Sequence, residues 1–197
     1  MSLPRAVADA RDPGSDLRDA ARRLLLAIDE DVEREGLIET PRRVAESFAY
    51  LTEGYGVCPR QIVRKALFDH DGDDLVTVRD IPFYSLCEHH LLPFFGRCHI
   101  GYLPVGKVVG LSKLPRVVNV FAHRLQLQER LTRQVAEAIE EVVQPRGVGV
   151  VMEARHLCIE MRGVEKLDSD TVTSCVLGEF RENASLRSEF LELVRRR

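Results

Sequence analysis

Five side chains able to bind a metal or move a proton, three histidines and two cysteines, cluster in two short stretches of this chain. The first is Cys87-Glu88-His89-His90. Cys87 and His90 are three apart, so on a turn or a first helical turn they share one face. A thiolate and an imidazole so placed can reach a single zinc ion, at about 2.3 Å and about 2.0–2.1 Å. The second place is His156-Leu157-Cys158. Residues two apart on a strand share a face, and here that face also carries Val148, Val150, Met152 and Ala154, which marks it as buried. Cys87, His90 and Cys158 would make three ligands and leave a fourth position for water, the arrangement of a catalytic rather than a structural zinc. Zinc lowers the pKa of such a water to about 7. His89 and His156 would then be free to transfer protons. The competing reading is a core cysteine at 158 beside ordinary polar histidines, since free cysteine is among the most buried residue types.

A second constellation is cationic. Ser112 stands where it can cap a helix, and Lys113 and Arg116 add positive charge at the same helix start. Free backbone N–H groups and the positive end of the helix dipole make this a possible phosphate site. Arg43 and Arg162 are separate cations that only the fold could bring to it. Glu129, beside Gln128, is a carboxylate near another helix start, able to pair with the N1–H and exocyclic amine of guanine or simply to complement the dipole.

These residues need elements to hold them. Residues 1–14 are polar with Pro4, Pro13 and Gly14, and read as a flexible arm. Ser15 or Asp16 can cap a helix with apolar positions from Leu17 to Val32, ended by Gly36. Thr40-Pro41 starts a second helix. From residue 75 the period changes. Strands are expected at 75–81, 99–103, 107–109, 148–161 and 171–177, with a short helix after Ser112, a longer one at 126–143 and a closing helix striped by Leu186, Phe190, Leu193 and Val194. Strands segregated from helices predict an α+β fold with an antiparallel sheet.

Composition narrows the function. The chain has 197 residues, 45% hydrophobic and 30% charged, with a net charge of −3. This fits a globular domain with a core and no basic field for nucleic acid. No apolar run of membrane-spanning length is present. Five irregularly spaced cysteines and no evident signal peptide predict a cytoplasmic protein that keeps its thiols free or on metal.

Together the segments Ser85-Leu86-Cys87-Glu88-His89-His90, Gly110-Leu111-Ser112-Lys113, Gln126-Leu127-Gln128-Glu129-Arg130-Leu131, His156-Leu157-Cys158, Met161-Arg162-Gly163 and Thr40-Pro41-Arg42-Arg43 closely resemble GTP cyclohydrolase I, from about residue 15 onward. The resemblance implies a helical region over 15–66 and, over 67–197, a tunnelling-fold domain whose sheets close a barrel across subunits of a homodecamer built from two pentamers. It implies zinc on Cys87, His90 and Cys158, proton transfer by His89 and His156, and hydrolysis of GTP to 7,8-dihydroneopterin triphosphate and formate, the first step towards folate or tetrahydrobiopterin. Glu129 would anchor guanine with Gln128 beside it. Lys113, Arg116 and Arg162 would hold the triphosphate with Arg43 of a neighbouring subunit, and Ser112 would lie at the ribose or phosphate. Glu160 departs from the pattern: on a continuing strand it would sit beside the triphosphate, so either the strand is irregular or a cation pairs with it. Rival readings are a zinc nucleoside deaminase, whose His-x-Glu and Pro-Cys-x-x-Cys are absent here, a variant cyclohydrolase that stops at the formamide, a non-enzymatic ligand-binding oligomer, and a tunnelling-fold oxidoreductase with a metal-free cysteine.

Overall fold

The computed structural model describes residues 13–195 except 65, 164 and 166–168. The expected arm lies mostly outside them. Its last two residues, Pro13 and Gly14, open the first helix.

Two compact units divide after Thr52, earlier than the expected break at 66. In the first, α1 (Pro13–Ala27) packs on α2 (Thr40–Leu51). Because α1 starts at Pro13, Ser15 and Asp16 lie inside it and do not cap it, although Asp16 in the first turn suits the helix dipole. It stops well before Gly36, at a turn where Asp29 adopts a left-handed φ of 60°. Pro41 occupies the first positions of α2, as expected, but Thr40 makes no cap; its hydroxyl donates to Gly36 O at 3.4 Å.

The second unit is built on a sheet. In chain order it contains a 3-10 turn (Glu53–Gly56), α3 (Pro59–Arg64), β1 (Leu67–Asp69), β2 (Val76–Cys87), β3 (Pro93–Leu103), β4 (Lys107–Val109), α4 (Lys113–Ala122), β5 (Leu125–Gln126), α5 (Gln128–Val143), β6 (Gly147–His156), α6 (Leu157–Glu160), β7 (Asp170–Gly178), α7 (Glu179–Glu182) and α8 (Ala184–Arg195). The main sheet runs β5-β2-β3-β6-β7; all its pairs are antiparallel except β5 with β2. The strands β1 and β4 form a separate ribbon.

The expected α+β class is observed, with two boundaries corrected near the site. The strand expected over 75–81 runs on to Cys87, carried past a bulge between Val78 and Ile81 where Asp80 has φ 56°. The strand expected over 148–161 ends at His156, and the chain coils into α6.

One face of the sheet packs on α4 and α5. Leu114, Val117, Val118, Leu131, Val135 and Ile139 there meet Phe83, Phe94, Ile100, Val150 and Met152, all nearly inaccessible to solvent. A smaller cluster covers part of the opposite face, where Phe180, Phe190 and Val194 join Leu103 and Val151. Gly101 and Gly149 are register partners beneath Phe190. A Cβ on either would stand 2.6 Å or 2.8 Å from its ring, so only glycine leaves the ring room.

Candidate metal centre

The end of β2 sets the first two ligands. Past Cys87 the chain reverses: Leu91 N–H donates to Cys87 O at 2.9 Å and Cys87 N–H to Leu92 O at 2.9 Å. Leu91 takes φ 56° to allow it. Glu88 N–H donates to Gln126 O at 3.1 Å, tying the turn to β5. This reversal brings His90 back over Cys87, with Nδ1 3.8 Å from Sγ.

The third ligand arrives by a different geometry from the expected one. Cys158 is not on a strand face with His156. It sits in the helical turn α6, which begins directly after β6. The turn still delivers it: one donor atom each from Cys87, His90 and Cys158 lies within 4.8 Å of the others. Donors on one tetrahedral zinc stand about 3.5–3.8 Å apart, so the trio needs only a small contraction. Burial, and then the adjacent Cys87, push the Cys158 thiol up; two neighbouring thiolates repel, and a cation between them reverses that cost. Two thiols and an imidazole form the donor set that a borderline-soft ion such as zinc prefers.

The helical turn also accounts for Glu160. Its buried carboxylate accepts two hydrogen bonds from Arg155, from Nε at 2.8 Å and Nη2 at 2.7 Å. The Arg155 guanidinium holds it below the usual carboxylate range. Thus Glu160 is paired by a cation of β6 rather than lying unpaired beside Arg162.

His156 stands at the end of β6, opposite Phe94 in β3. The two rings stack with centroids 4.7 Å apart and planes 2° from parallel. Its Nε2 is 2.7 Å from Gln128 Oε1. Burial lowers its pKa, opposed by Glu129 and Glu160. His89 is 61% exposed, with Nε2 4.0 Å from Glu88 Oε1. The other Glu88 oxygen accepts from Arg130, which also donates to Gln126 Oε1 at 3.0 Å and Leu125 O at 3.1 Å.

The remaining expected residues are spread out. Glu129 is exposed in the first turn of α5. Ser112 precedes α4, but its hydroxyl caps nothing there, because its backbone is already helical (φ −65°, ψ −12°). Lys113 and Arg116 line one cleft of about 240 Å³ with Val57, Cys58, Gln61 and Ile62. Arg162 follows α6 and Arg43 belongs to the first unit, both exposed.

Arg130, Phe94 and the bond from His156 to Gln128 were not anticipated. Arg130 lies in the same motif as Gln128 and Glu129, which was the available signal. Phe94 reads in sequence only as core.

Comparison with known proteins shows the family of the chain. The family model described as GTP cyclohydrolase I matches residues 17–195. A protein named GTP cyclohydrolase 1 from Gloeobacter violaceus is 57% identical over 178 residues, covering 90% of this chain and 83% of that protein. One of the same name from Methylococcus capsulatus is 56% identical over 174 residues, covering 88% and 94%. Another, from Chromohalobacter salexigens, is 52% identical over 179 residues, covering 91% and 97%. Among solved structures, the archaeosine synthase QueF-Like in its apo form aligns at 16% identity with a TM-score of 0.44, covering 55% of this chain and 97% of that one.

Proposed function

Because the chain belongs to the GTP cyclohydrolase I family, we propose that it converts GTP and water to 7,8-dihydroneopterin triphosphate and formate, with zinc on Cys87, His90 and Cys158. The observation that carries this reading is the Cys-His-Cys donor set drawn within 4.8 Å. When bound, zinc supplies Lewis acidity that makes water a nucleophile at neutral pH.

The chain's own residues do the rest. His89 lies between Cys87 and His90, and His156 two residues before Cys158; both exchange protons with the purine. One hydrolysis opens the imidazole ring at C8 to a formamide, and a second releases formate. The ribose then opens and rearranges, and its carbonyl condenses with the freed amine, returning one water. Every step moves a proton, which suits two histidines with different surroundings: one exposed, one stacked and half-buried.

Glu129 pairs with the N1–H and exocyclic amine of guanine. Lys113, Arg116 and Arg162, joined by Arg43 of a neighbouring subunit, hold the triphosphate, and Ser112 contacts the ribose or phosphate. This binding energy is spent on orientation, since the phosphates are remote from the reacting ring. The active assembly is a homodecamer of two pentamers, in which residues 67–197 form the tunnelling-fold domain and close a barrel between subunits. The open edges of β5 and β7 in the isolated sheet support this, since barrel closure removes exposed edges. Metal-replete protein incubated with GTP is expected to release formate and a pterin that fluoresces on oxidation. Release of neither would overturn the reading; formamide product alone would indicate arrest at ring opening.

A further inference from the structure

The resemblance puts Gln128 beside the guanine anchor, yet its amide is already engaged inside the protein. The residue is only 2% exposed. Its Nε2 lies 2.8 Å from Thr171 O, 3.1 Å from Met152 O and 3.1 Å from Thr173 Oγ1. Two of those partners are backbone carbonyls, which only accept hydrogen bonds. They require the NH₂ end of the amide on their side and so turn Oε1 towards His156. The hydroxyls agree with this direction. Thr132 Oγ1 donates to Gln128 O at 2.7 Å, so the 2.6 Å contact between the two threonines is donated by Thr173, whose oxygen is left to accept from Gln128.

An amide oxygen can only accept. At 2.7 Å from Gln128 Oε1, Nε2 of His156 therefore carries a hydrogen. In the neutral ring the lone pair is then on Nδ1. Phe94, stacked on one face, holds the plane of the ring. We infer that Gln128 is a positioning residue: it holds the His156 ring through Nε2–H and so fixes its tautomer and orientation. This rests on the reading of His156 as a proton-transfer group. Four elements are needed to build it, since Phe94 comes from β3, Gln128 and Thr132 from α5, Met152 and His156 from β6, and Thr171 and Thr173 from β7.

The unmutated, metal-loaded enzyme tests this directly. In ¹⁵N solid-state NMR of sedimented, ¹⁵N-histidine-labelled protein, the His156 signals are those missing from His156→Ala. The expected pattern is a protonated Nε2 and a bare Nδ1; the reverse pattern overturns the inference. Kinetics supply the second readout. Gln128→Leu is expected to lower kcat about tenfold to a hundredfold, the usual cost of losing a group that orients an active-site histidine. Affinity for a GTP analogue with carbon in place of N7 should change less than about twofold, a level well below one lost hydrogen bond. Gln128→Glu, whose protonated carboxyl can both donate to Thr171 O and accept from Nε2, should recover part of kcat. A variant that loses analogue affinity and keeps kcat would make Gln128 a substrate contact and overturn the inference. If instead His156→Ala keeps full kcat, it is the proton-transfer reading that fails, and the tautomer measurement still judges the hold of Gln128 separately.

Discussion

At the scale of single residues, the site is assembled from side chains whose neighbours limit what they can do. Cys158 illustrates this: its burial and its contact with a second thiol favour a cation between them. Cys158→Ser is expected to reduce bound zinc, measured by atomic absorption, to a small fraction of the wild-type content and to abolish formate release, because an alcohol is a poor zinc ligand beside a thiolate. Zinc content and turnover both at wild-type level would remove Cys158 from the site. A different single residue sets a pH dependence. His99, in β3, is 3% exposed; its Nδ1 accepts from Asp80 N–H at 3.2 Å, while its Nε2 has no partner among the described residues. Burial lowers its pKa. Arg79 and Arg97 act in the same direction, and Asp80 and Glu153 oppose it. The unfolded chain therefore takes up this proton before the folded one as the pH falls below about 6.5, and stability falls with pH across that window. The melting temperature should drop between about pH 8 and about pH 5.5, and His99→Leu should flatten that drop. An unchanged slope in the variant would rule His99 out as its source.

At the scale of elements, two short pieces matter most: the reversal after β2 and the helical turn α6. The reversal was legible in sequence, because a spacing of three brings two side chains together on any tight turn. The turn was not. The alternation through 148–156 gives no sign of where a strand stops, and His156 and Cys158 share a face on paper only if it continues. Its end coincides with a local pair: Arg155, the last residue before His156, holds the Glu160 carboxylate through Nε and Nη2, and that pair spans the helical turn that carries Cys158. Glu160 looked misplaced in sequence because a continuing strand would have put it beside the triphosphate; both expected ways out hold, since the strand stops at His156 and a cation, Arg155, pairs with it. Arg155→Met should leave Glu160 buried without its cation and loosen the turn. Zinc affinity, measured by chelator competition, is expected to weaken about tenfold, as for other losses of support behind a ligand, with Arg162→Met, which removes only a favourable charge near Cys158, weakening it less. Equal zinc affinities in the two variants would mean that the pair does not hold Cys158 in place. The network around Gln128 was equally hidden, since it depends on the register of β6 with β7 and on how α5 lies across them.

At the scale of the second unit, the sheet separates two tasks along β3. Phe94, near its start, stacks on His156, while Gly101, near its end, makes room for Phe190 of α8. Seven residues of strand span about 24 Å, so the metal centre and the aromatic cluster under α8 are far apart on one rigid element. Sequence periodicity identified Phe190 as an apolar position of a closing helix but not what it covers, because the paired glycines that receive it are 48 positions apart and meet only through the β3–β6 register. Phe190 is fully buried and meets Phe180 edge-on at 5.5 Å. Phe190→Ala removes that contact and opens a cavity over the glycines, at a cost of about 3–5 kcal/mol for a buried phenylalanine. The change is in stability, not in the site. Thermal unfolding at fixed protein concentration should shift several degrees downward, while zinc content and GTP turnover well below the transition stay at wild-type level. Loss of zinc in step with the melting temperature would show that the aromatic cluster and the metal centre are coupled through the sheet, contrary to the independence that their separation along β3 predicts.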